Sequence, residues 1–377
     1  MSKKNRIGIM FLDEIHHVFH FITVAKELSK TNFVDILTYP GEHTFLKQSL
    51  LNIQADKVRV LELKTHFFRA FTDTLKNRDI PRKGFWVKKN AKKILTNYDA
   101  LIFTDYTHHK FLKYRALYES TTKFLKFPHG APGRSYSYNK ELLDFDLQLI
   151  FGKFQYEEYK KKNLLGPHPI TPGYPKIDAV TQLPKKKHLF NNDKITVVYN
   201  PHFSKPLSSW YSWGMHILDY FLAQNSYNLI FAPHINLFNK TGFEDKSNFP
   251  EIYTNAENIH IDLGSDNSVD MTYTLQADIY LGDVSSQVYE FIINPRPCIF
   301  LNSNQESYHN KLEFRFWQMG AVINEIEELD NRLKNSLQDF ENYKDLQVKI
   351  NQENFHKEKS KTASQLAAEE IDVFLNS

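Results

Sequence analysis

The sequence has little of several features that would indicate other classes of protein. The first of these features is cysteine. The 377 residues of the chain contain one cysteine, Cys298, so no disulfide can form within the chain. Cys298 lies inside an apolar run, which is typical of a small buried side chain in a protein from a reducing compartment. The sequence therefore predicts a cytoplasmic protein.

An excess of charge of one sign is also missing. The chain has 47 basic and 44 acidic residues, which gives a formal net charge of +3. This value is too small to indicate a nucleic-acid-binding protein by overall electrostatics. We therefore expect no nucleic-acid partner.

Long apolar runs are absent as well. One of the longest, residues 291–301, is interrupted by Asn294, Pro295 and Arg296 and is shorter than the roughly 20 residues that cross a bilayer. The apolar segment that follows the basic N-terminus is interrupted by acidic residues and histidines, unlike a signal peptide. The sequence predicts neither secretion nor a membrane-spanning segment.

Aromatic and apolar residues, by contrast, are plentiful. The chain has 30 Phe, 20 Tyr and 4 Trp, and 41% of its residues are hydrophobic. Disordered chains are poor in aromatics, so we expect a folded protein. Its length exceeds what a single core usually fills, which predicts two domains.

Short apolar runs alternate with helical patterns in both halves of the chain. After the first run, residues 7–12, apolar residues recur at three- and four-residue steps over residues 18–28. This alternation predicts parallel β-sheets covered by helices, the α/β fold class, with two Rossmann-like lobes. The polar stretch 184–194 indicates a hinge between them. Strands are predicted at residues 7–12, 34–38, 57–63, 100–103, 122–127, 147–150, 195–199, 227–232, 259–262, 279–282 and 297–301.

A loop rich in glycine and proline follows the strand predicted at residues 122–127. It presents His129 on a turn, next to Gly130 and close to Arg134. A histidine near its ordinary pKa takes a proton from a hydroxyl at neutral pH, and a guanidinium holds phosphate through paired donors. His129 is a candidate general base and Arg134 a candidate phosphate ligand. The alternative is a turn whose histidine only caps a strand.

A candidate phosphate site lies where the strand predicted to end at Gly282 meets a predicted helix, residues 286–293. The N–H groups at the start of a helix and serine hydroxyls donate to phosphate, and Glu290, one turn into the helix, can reach a ribose. The alternative is that the polar side chains only cap the helix. The candidate ligands are Asp283, Ser285, Ser286, Gln287 and Glu290.

Two further predicted strands are followed closely by a Pro-His pair. The histidines of these pairs, His202 and His234, are candidates to donate to phosphate oxygens. Taken singly, each is more typical of a surface histidine. Their shared placement after strands favours a site, because ligands collect at the carboxyl ends of parallel strands.

Histidines also follow the first predicted strand. His16 and His17 compete with His129 as the base on the acceptor side. Their spacing matches no compact zinc motif and no cysteine accompanies them, so we predict no metal.

Aromatic and basic residues are interleaved between residues 65 and 95. Such a face can lie on anionic headgroups of a membrane, and it is equally compatible with a solvated helix whose lysines extend into water. We therefore predict a protein with a candidate peripheral contact at the inner face of the cell membrane.

Four segments, in this order, resemble motifs of the CDP-glycerol glycerophosphotransferase family, the teichoic acid primase and polymerase group. Val284 stands where that family usually has tyrosine, Arg134 where it has lysine, and residues 200–202, Asn-Pro-His, where Ala-Pro-Thr is common. The similar segments are His-Gly-Ala-Pro at 129–132, Pro-Gly-Tyr-Pro-Lys-Ile-Asp at 172–178, Ala-Pro-His at 232–234, and residues 277–291, which include the serine pair.

The resemblance implies a GT-B-like fold whose two lobes face an interdomain cleft. The acceptor-binding lobe would be residues 1–185, the lobe that binds the nucleotide donor 195–330, and C-terminal helices at 331–377 would pack across the lobes. His129 would then face the serine pair across the cleft. By the same resemblance His129 activates the acceptor, His234 contacts donor phosphate, and Ser285, Ser286 and Glu290 hold the phosphates and ribose.

The implied function is transfer of a polyol phosphate, glycerol or ribitol phosphate, from a CDP-activated donor to a hydroxyl of a cell-surface glycan or lipid-linked acceptor. No cofactor is required besides the nucleotide donor. Two alternatives stay open: a glycosyltransferase that uses a CMP- or UDP-activated sugar, and a non-catalytic assembly protein that only binds nucleotide.

Overall fold

The computed structural model describes residues 4–12, 15–75, 82–130, 137–239 and 244–377. These residues form two compact units. The first contains the described residues up to Pro184 together with Glu353–Ser377, and the second contains Lys185–Gln352. The predicted C-terminal segment 331–377 is therefore divided between the two units.

The first unit is built on a parallel sheet with the strand order β3-β2-β1-β4-β5-β6-β7. Residues such as Ile7, Ile9 and Leu101 are buried in its core because helices cover both faces of the sheet. The strands are β1 (Arg6–Met10), β2 (Phe33–Thr38), β3 (Val58–Glu62), β4 (Ala100–Phe103), β5 (Lys123–Lys126), β6 (Leu147–Leu149) and β7 (Pro169–Ile170). Its helices before the second unit are α1 (Ile22–Leu28), α2 (Thr44–Asn52), α3 (Phe67–Leu75), α4 (Lys83–Asn97), α5 (His109–Leu117), α6 (Lys153–Lys161) and α7 (Pro175–Gln182).

The second unit contains a parallel sheet with the order β10-β9-β8-β11-β12-β13. Its strands are β8 (Ile195–Asn200), β9 (Tyr227–Phe231), β10 (Ile259–Ile261), β11 (Ile279–Gly282), β12 (Cys298–Leu301) and β13 (Ala321–Ile323). The helices that follow along the chain are α8 (Trp210–Ala223), α9 (Asn236–Asn239), α10 (Glu251–Thr254), α11 (Thr272–Gln276), α12 (Gln287–Phe291), α13 (Leu329–Phe340), α14 (Lys344–Asn354) and α15 (Ala363–Asn376).

The α/β class and the parallel sheets predicted from the sequence are confirmed, and every predicted strand is present to within two residues. Strands β7 and β13, of two and three residues, were not predicted. The helical stripe predicted over residues 18–28 is buried as expected, and α1 confirms its second part. Its start belongs to a 3-10 helix, Ile15–His20, which was not predicted.

The predicted Gly-Tyr-Pro turn receives the C-terminal segment of the chain within the first unit. Gly173 has φ +110°, and a Cβ atom there would lie 2.4 Å from the carbonyl oxygen of His356, so only glycine fits. The ring of Tyr174 stacks on Phe355 with centroids 4.8 Å apart. Asp178 accepts a hydrogen bond from the N–H of Ser364 at the start of α15. This motif therefore anchors the tail.

Among the described helices, none combines the length and the apolar character needed to cross a bilayer.

Candidate active site

The first group of candidate side chains lies at the carboxyl ends of three adjacent strands, β1, β4 and β5. His16 and His17 follow β1, Thr104 follows β4, and His129 follows β5. Parallel strands end at one edge of their sheet, so side chains 25 to more than 100 residues apart in sequence meet there. The rings of His17 and His129 are stacked, with centroids 4.2 Å apart and planes 21° apart.

The backbone of Thr104 determines the protonation of His129. Nδ1 of His129 lies 2.6 Å from the Thr104 carbonyl oxygen. A carbonyl oxygen only accepts, so Nδ1 carries the hydrogen and the lone pair of the neutral ring is on Nε2. This is the tautomer that a general base needs.

The environment keeps His129 neutral. Burial lowers its pKa to about 4, and the charge of Lys126 adds to the effect. Burial also lowers the pKa of His17 well below its ordinary value, and a charge on His129 would lower it further. The expectation of an ordinary pKa for His129 was wrong, because a desolvated ring beside a cation resists protonation. At physiological pH the ring is therefore neutral, and its Nε2 can accept a proton.

The three imidazoles of His16, His17 and His129 lie close enough to suggest a metal site. One ring nitrogen of each lies within 4.8 Å of the others. The positive charge of Lys126, which lowers the pKa of both His17 and His129, disfavours a further cation there. The absence of a metal stays a prediction.

A small cavity adjoins His129. Its volume is about 30 Å³, enough for one water-sized group. Gly130 lies on its wall, whereas Arg134 is outside the described residues. The cavity is otherwise lined by Tyr106, Lys126, Pro128, Ser137, Gln155 and Tyr159.

The second group lies at the carboxyl ends of β8, β9 and β11, which are also adjacent in their sheet. His202 follows β8, His234 follows β9, and Asp283 begins the turn after β11. The centroids of the two histidine rings are 5.6 Å apart. The N–H of His234 donates to the carbonyl oxygen of Pro201 at 2.9 Å, which ties the two loops together.

Asp283 connects the turn after β11 to the segment that follows β8. Its side chain is 1% exposed, and its carboxylate accepts four hydrogen bonds. The donors are the N–H groups of His202, Ser209 and Val284 and the hydroxyl of Ser209, at 2.6–2.8 Å. Burial raises the pKa of Asp283 to about 6, against these donors, which lower it. All four of these partners are groups of the protein itself.

Hydrogen bonds give His202 and His234 the opposite tautomer from His129. Nδ1 of His202 accepts from the N–H of Ser204 at 3.0 Å, and Nδ1 of His234 accepts from the N–H of Asn236 at 3.1 Å. A nitrogen that accepts carries no hydrogen, so each neutral ring has its hydrogen on Nε2. Both rings are therefore set up to donate, which suits contact with an anion.

The serine pair lies in the turn before α12. Ser285 is buried and its Oγ accepts from the N–H of Gln287 at 3.3 Å, while Ser286 is half-buried and forms the N-cap. The predicted helix 286–293 is shorter in the structure, Gln287–Phe291, so its dipole is small. Glu290 is buried on α12.

Four residues that support the two groups were not predicted: Thr104, Lys126, Ser209 and Trp317. Trp317 donates from Nε1 to the carbonyl oxygen of Asp283 at 3.0 Å. Its partner is 34 residues away in the sequence, and that of Ser209 is 74 residues away. No local pattern signals such contacts. Of these four residues, only Lys126 could have been noticed in the sequence, because it is a charged residue in an apolar strand.

The family model for CDP-glycerol:poly(glycerophosphate) glycerophosphotransferase matches residues 167–371, more than half of the chain. The matched region contains the second group and the Gly-Tyr-Pro turn and begins after His129. It confirms the resemblance drawn from the motifs. A search of curated proteins gives no significant match.

Solved structures share the fold. Wall teichoic acid polymerase TagF, soaked with CDPG, is 14% identical with a TM-score of 0.62, over 99% of this chain and 89% of that one. A UDP-N-acetylglucosamine 2-epimerase is 10% identical with a TM-score of 0.65, over 100% and 96%. A putative enzyme of the same name from Listeria monocytogenes is 13% identical with a TM-score of 0.63, over 100% and 96%. These similarities show that the fold is GT-B-like.

Proposed function

The chain belongs to the CDP-glycerol:poly(glycerophosphate) glycerophosphotransferase family, and from this premise we propose that His129 is the general base of its transfer reaction. The protein is a transferase of polyol phosphate from a CDP-activated donor. In the proposed step, Nε2 of His129 takes the proton of an acceptor hydroxyl. The oxygen attacks the phosphorus that bears the polyol, the bond from that phosphorus to the bridging oxygen breaks, and cytidine monophosphate leaves.

The tautomer of His129 is the observation on which this assignment depends. The Thr104 carbonyl holds the hydrogen on Nδ1, and the lowered pKa keeps Nε2 unprotonated. The rings of His16 and His17 lie 6.0 and 4.2 Å from that of His129, so they line the same edge. We assign them to the acceptor side. The acceptor class, a glycan or lipid-linked hydroxyl, is part of this proposal.

We propose that His202, His234, Ser285 and Ser286 hold the phosphates of the donor. Each neutral imidazole carries its hydrogen on Nε2 and can donate from it, and the serine hydroxyls can add donors from the turn before α12. Such donors stabilise the negative charge that grows on the bridging oxygen and leaving phosphate. Glu290 and Gln287 would contact the ribose side of the nucleotide. We give Asp283 a positioning role, because its carboxylate is fully engaged with the loops.

Replacing His234 with alanine should lower kcat by about 100-fold, because one donor to the developing charge is lost. Rates with CDP-glycerol at saturating acceptor measure the effect. His216→Ala is the matched control: this histidine is exposed on α8 in the same unit and should leave the rate unchanged. A His234→Ala enzyme within twofold of wild type would remove His234 from the site.

Donor competition tests the substrate class. CDP-glycerol and CDP-ribitol should be consumed with release of cytidine monophosphate, and UDP- or CMP-sugars should not. Turnover of a sugar nucleotide alone would instead establish the glycosyltransferase alternative. Nucleotide binding with no turnover of any donor would establish the non-catalytic one.

We also propose that α3 rests on an anionic membrane surface. Its residues Phe67, Phe68, Phe71 and Leu75 fall on one face and are 58–88% exposed. The adjoining helix α4 adds exposed lysines at 88, 89, 92 and 93. An apolar face flanked by cations fits a lipid surface, since aromatic rings enter the headgroup boundary while lysines attract anionic lipids.

The double variant Phe67→Ser/Phe71→Ser should bind vesicles that contain phosphatidylglycerol at least tenfold more weakly than wild type, because each buried ring contributes roughly 1.5–3 kcal/mol. Cosedimentation at several lipid concentrations measures the affinity. Leu51→Ser/Val373→Ser removes two exposed apolar side chains elsewhere in the same unit and should not weaken binding. Equal binding by all three proteins would refute the contact.

A further inference from the structure

One buried charge near the proposed base is unexplained by the roles assigned so far. Lys126 is the last residue of β5 and is only 4% exposed. A buried ammonium is costly unless hydrogen bonds and other charges compensate it. The burial of this charge between β4 and the His129 turn therefore needs an explanation.

The ammonium of Lys126 is held by backbone oxygens. It donates to the carbonyl oxygens of Thr104 and Asp105, each at 2.9 Å, and lies 4.3 Å from the centroid of the Tyr106 ring. These contacts fix the chain after β4. They also place a permanent positive charge at the point where β4 and β5 end.

Lys126 and His129 share one acceptor. The Thr104 carbonyl oxygen receives both the Lys126 ammonium and the Nδ1–H of His129. The Thr104 hydroxyl, in turn, lies 2.8 Å from Nδ1 of His17. A displacement of Thr104 would therefore disturb the orientation of His129 directly.

We propose that Lys126 is a positioning residue for the general base: it holds the Thr104 carbonyl against His129 and keeps the imidazole neutral by its charge. The inference rests on the proposed role of His129. It adds that a buried cation, acting with the burial of the ring, keeps the base unprotonated in moderately acidic conditions.

The other charged and titratable groups around His129 do not replace Lys126. A charge on His16 would lower the pKa of His129 less than Lys126 does, and Asp105 is paired with Lys83 at 2.8 Å. Asp105 opposes Lys126, since a negative charge raises the pKa of His129. Among the described residues, the groups that act electrostatically on the ring include His16, His17, His20, Lys126 and Asp105.

Lys126→Met removes the charge and keeps most of the side-chain volume. Loss of a nearby positive charge makes protonation easier, so the pKa of His129 should rise by roughly one unit. The pH at which kcat/KM falls to half of its maximum on the acid side should rise by the same amount. At pH 5 this predicts about a twofold drop relative to wild type, with little change at pH 8.

The pKa is best read by NMR titration of the His129 ring, identified by its absence in His129→Gln. This measurement needs no turnover, so it tests Lys126 even if His129 proves not to be the base. That other failure would appear as an active His129→Gln enzyme. Lys126→Arg, which keeps the charge, should keep the pKa low.

Lys123→Met is the matched control, because Lys123 is exposed on the same strand. It should leave the titration and the pH profile unchanged. Circular dichroism checks folding, and Lys126→Gln replaces Lys126→Met if the latter does not fold. A His129 pKa that stays within about 0.2 units of wild type in the uncharged variant overturns the proposal, as does an equal rise in Lys123→Met.

Discussion

Replacement of His129 by alanine is expected to lower kcat for glycerol phosphate transfer by about three orders of magnitude, with little change in donor binding. A positioned base contributes 10²–10⁴-fold, and this one is both in the required tautomer and neutral. Product release from CDP-glycerol measures kcat, and binding of CDP-glycerol by calorimetry measures donor affinity separately.

His109→Ala serves as the control for this experiment, because His109 is an exposed histidine at the start of α5 in the same unit. Its rate should match wild type. His16→Ala and His17→Ala test the competing assignment. If either of them abolishes transfer while His129→Ala retains more than a tenth of the activity, the base is not His129.

Asp283→Ala should destabilise the second unit by roughly 3 kcal/mol, because four donors lose a common acceptor in a buried position. For a unit of this size, such a loss corresponds to a decrease in Tm of roughly 6–12 °C. Transfer should fall as well, since the loops that carry His202 and His234 lose their connection to the serine turn. Calorimetry measures the first effect and turnover the second.

Two variants make this result specific. Asp193→Ala removes an exposed carboxylate from the same unit and should change neither Tm nor rate. Asp283→Asn keeps the shape but replaces one acceptor oxygen with an NH₂ group, so its stability should lie between wild type and Asp283→Ala. An Asp283→Ala protein with wild-type Tm would show that the carboxylate does not hold the loops.

Much of the architecture followed from local pattern. Continuous apolar runs such as Ala100–Phe103 predicted strands buried on both faces, and these bounds are those of β4. The 3-10 helix Ile15–His20 was not predicted, because an apolar stripe does not distinguish a 3-10 turn from the first turn of an α-helix. The exposed face of α3 lies in a region whose aromatic and basic residues were noted, yet the sequence does not tell which rings are buried.

The loops of the candidate site were located from the same rule, that ligands collect at the carboxyl ends of parallel strands. It identified His129, His202, His234 and the turn at Asp283 without any knowledge of their partners. The rule did not distinguish side chains that contact a ligand from side chains that hold the loops in place. Asp283 was expected among the donor ligands, whereas its carboxylate contacts three backbone N–H groups and one hydroxyl.

The sequence alone determined the α/β class, the two parallel sheets, the family and the loops that bear histidines and serines, because these depend on periodicity and on motifs that are local in the chain. Only the tertiary structure decided which nitrogen of each histidine carries the hydrogen, how far burial lowers the pKa of His129, and that Lys126 is held against Thr104. These properties arise from hydrogen-bond partners and from neighbours brought close by strand order. A linear pattern contains neither.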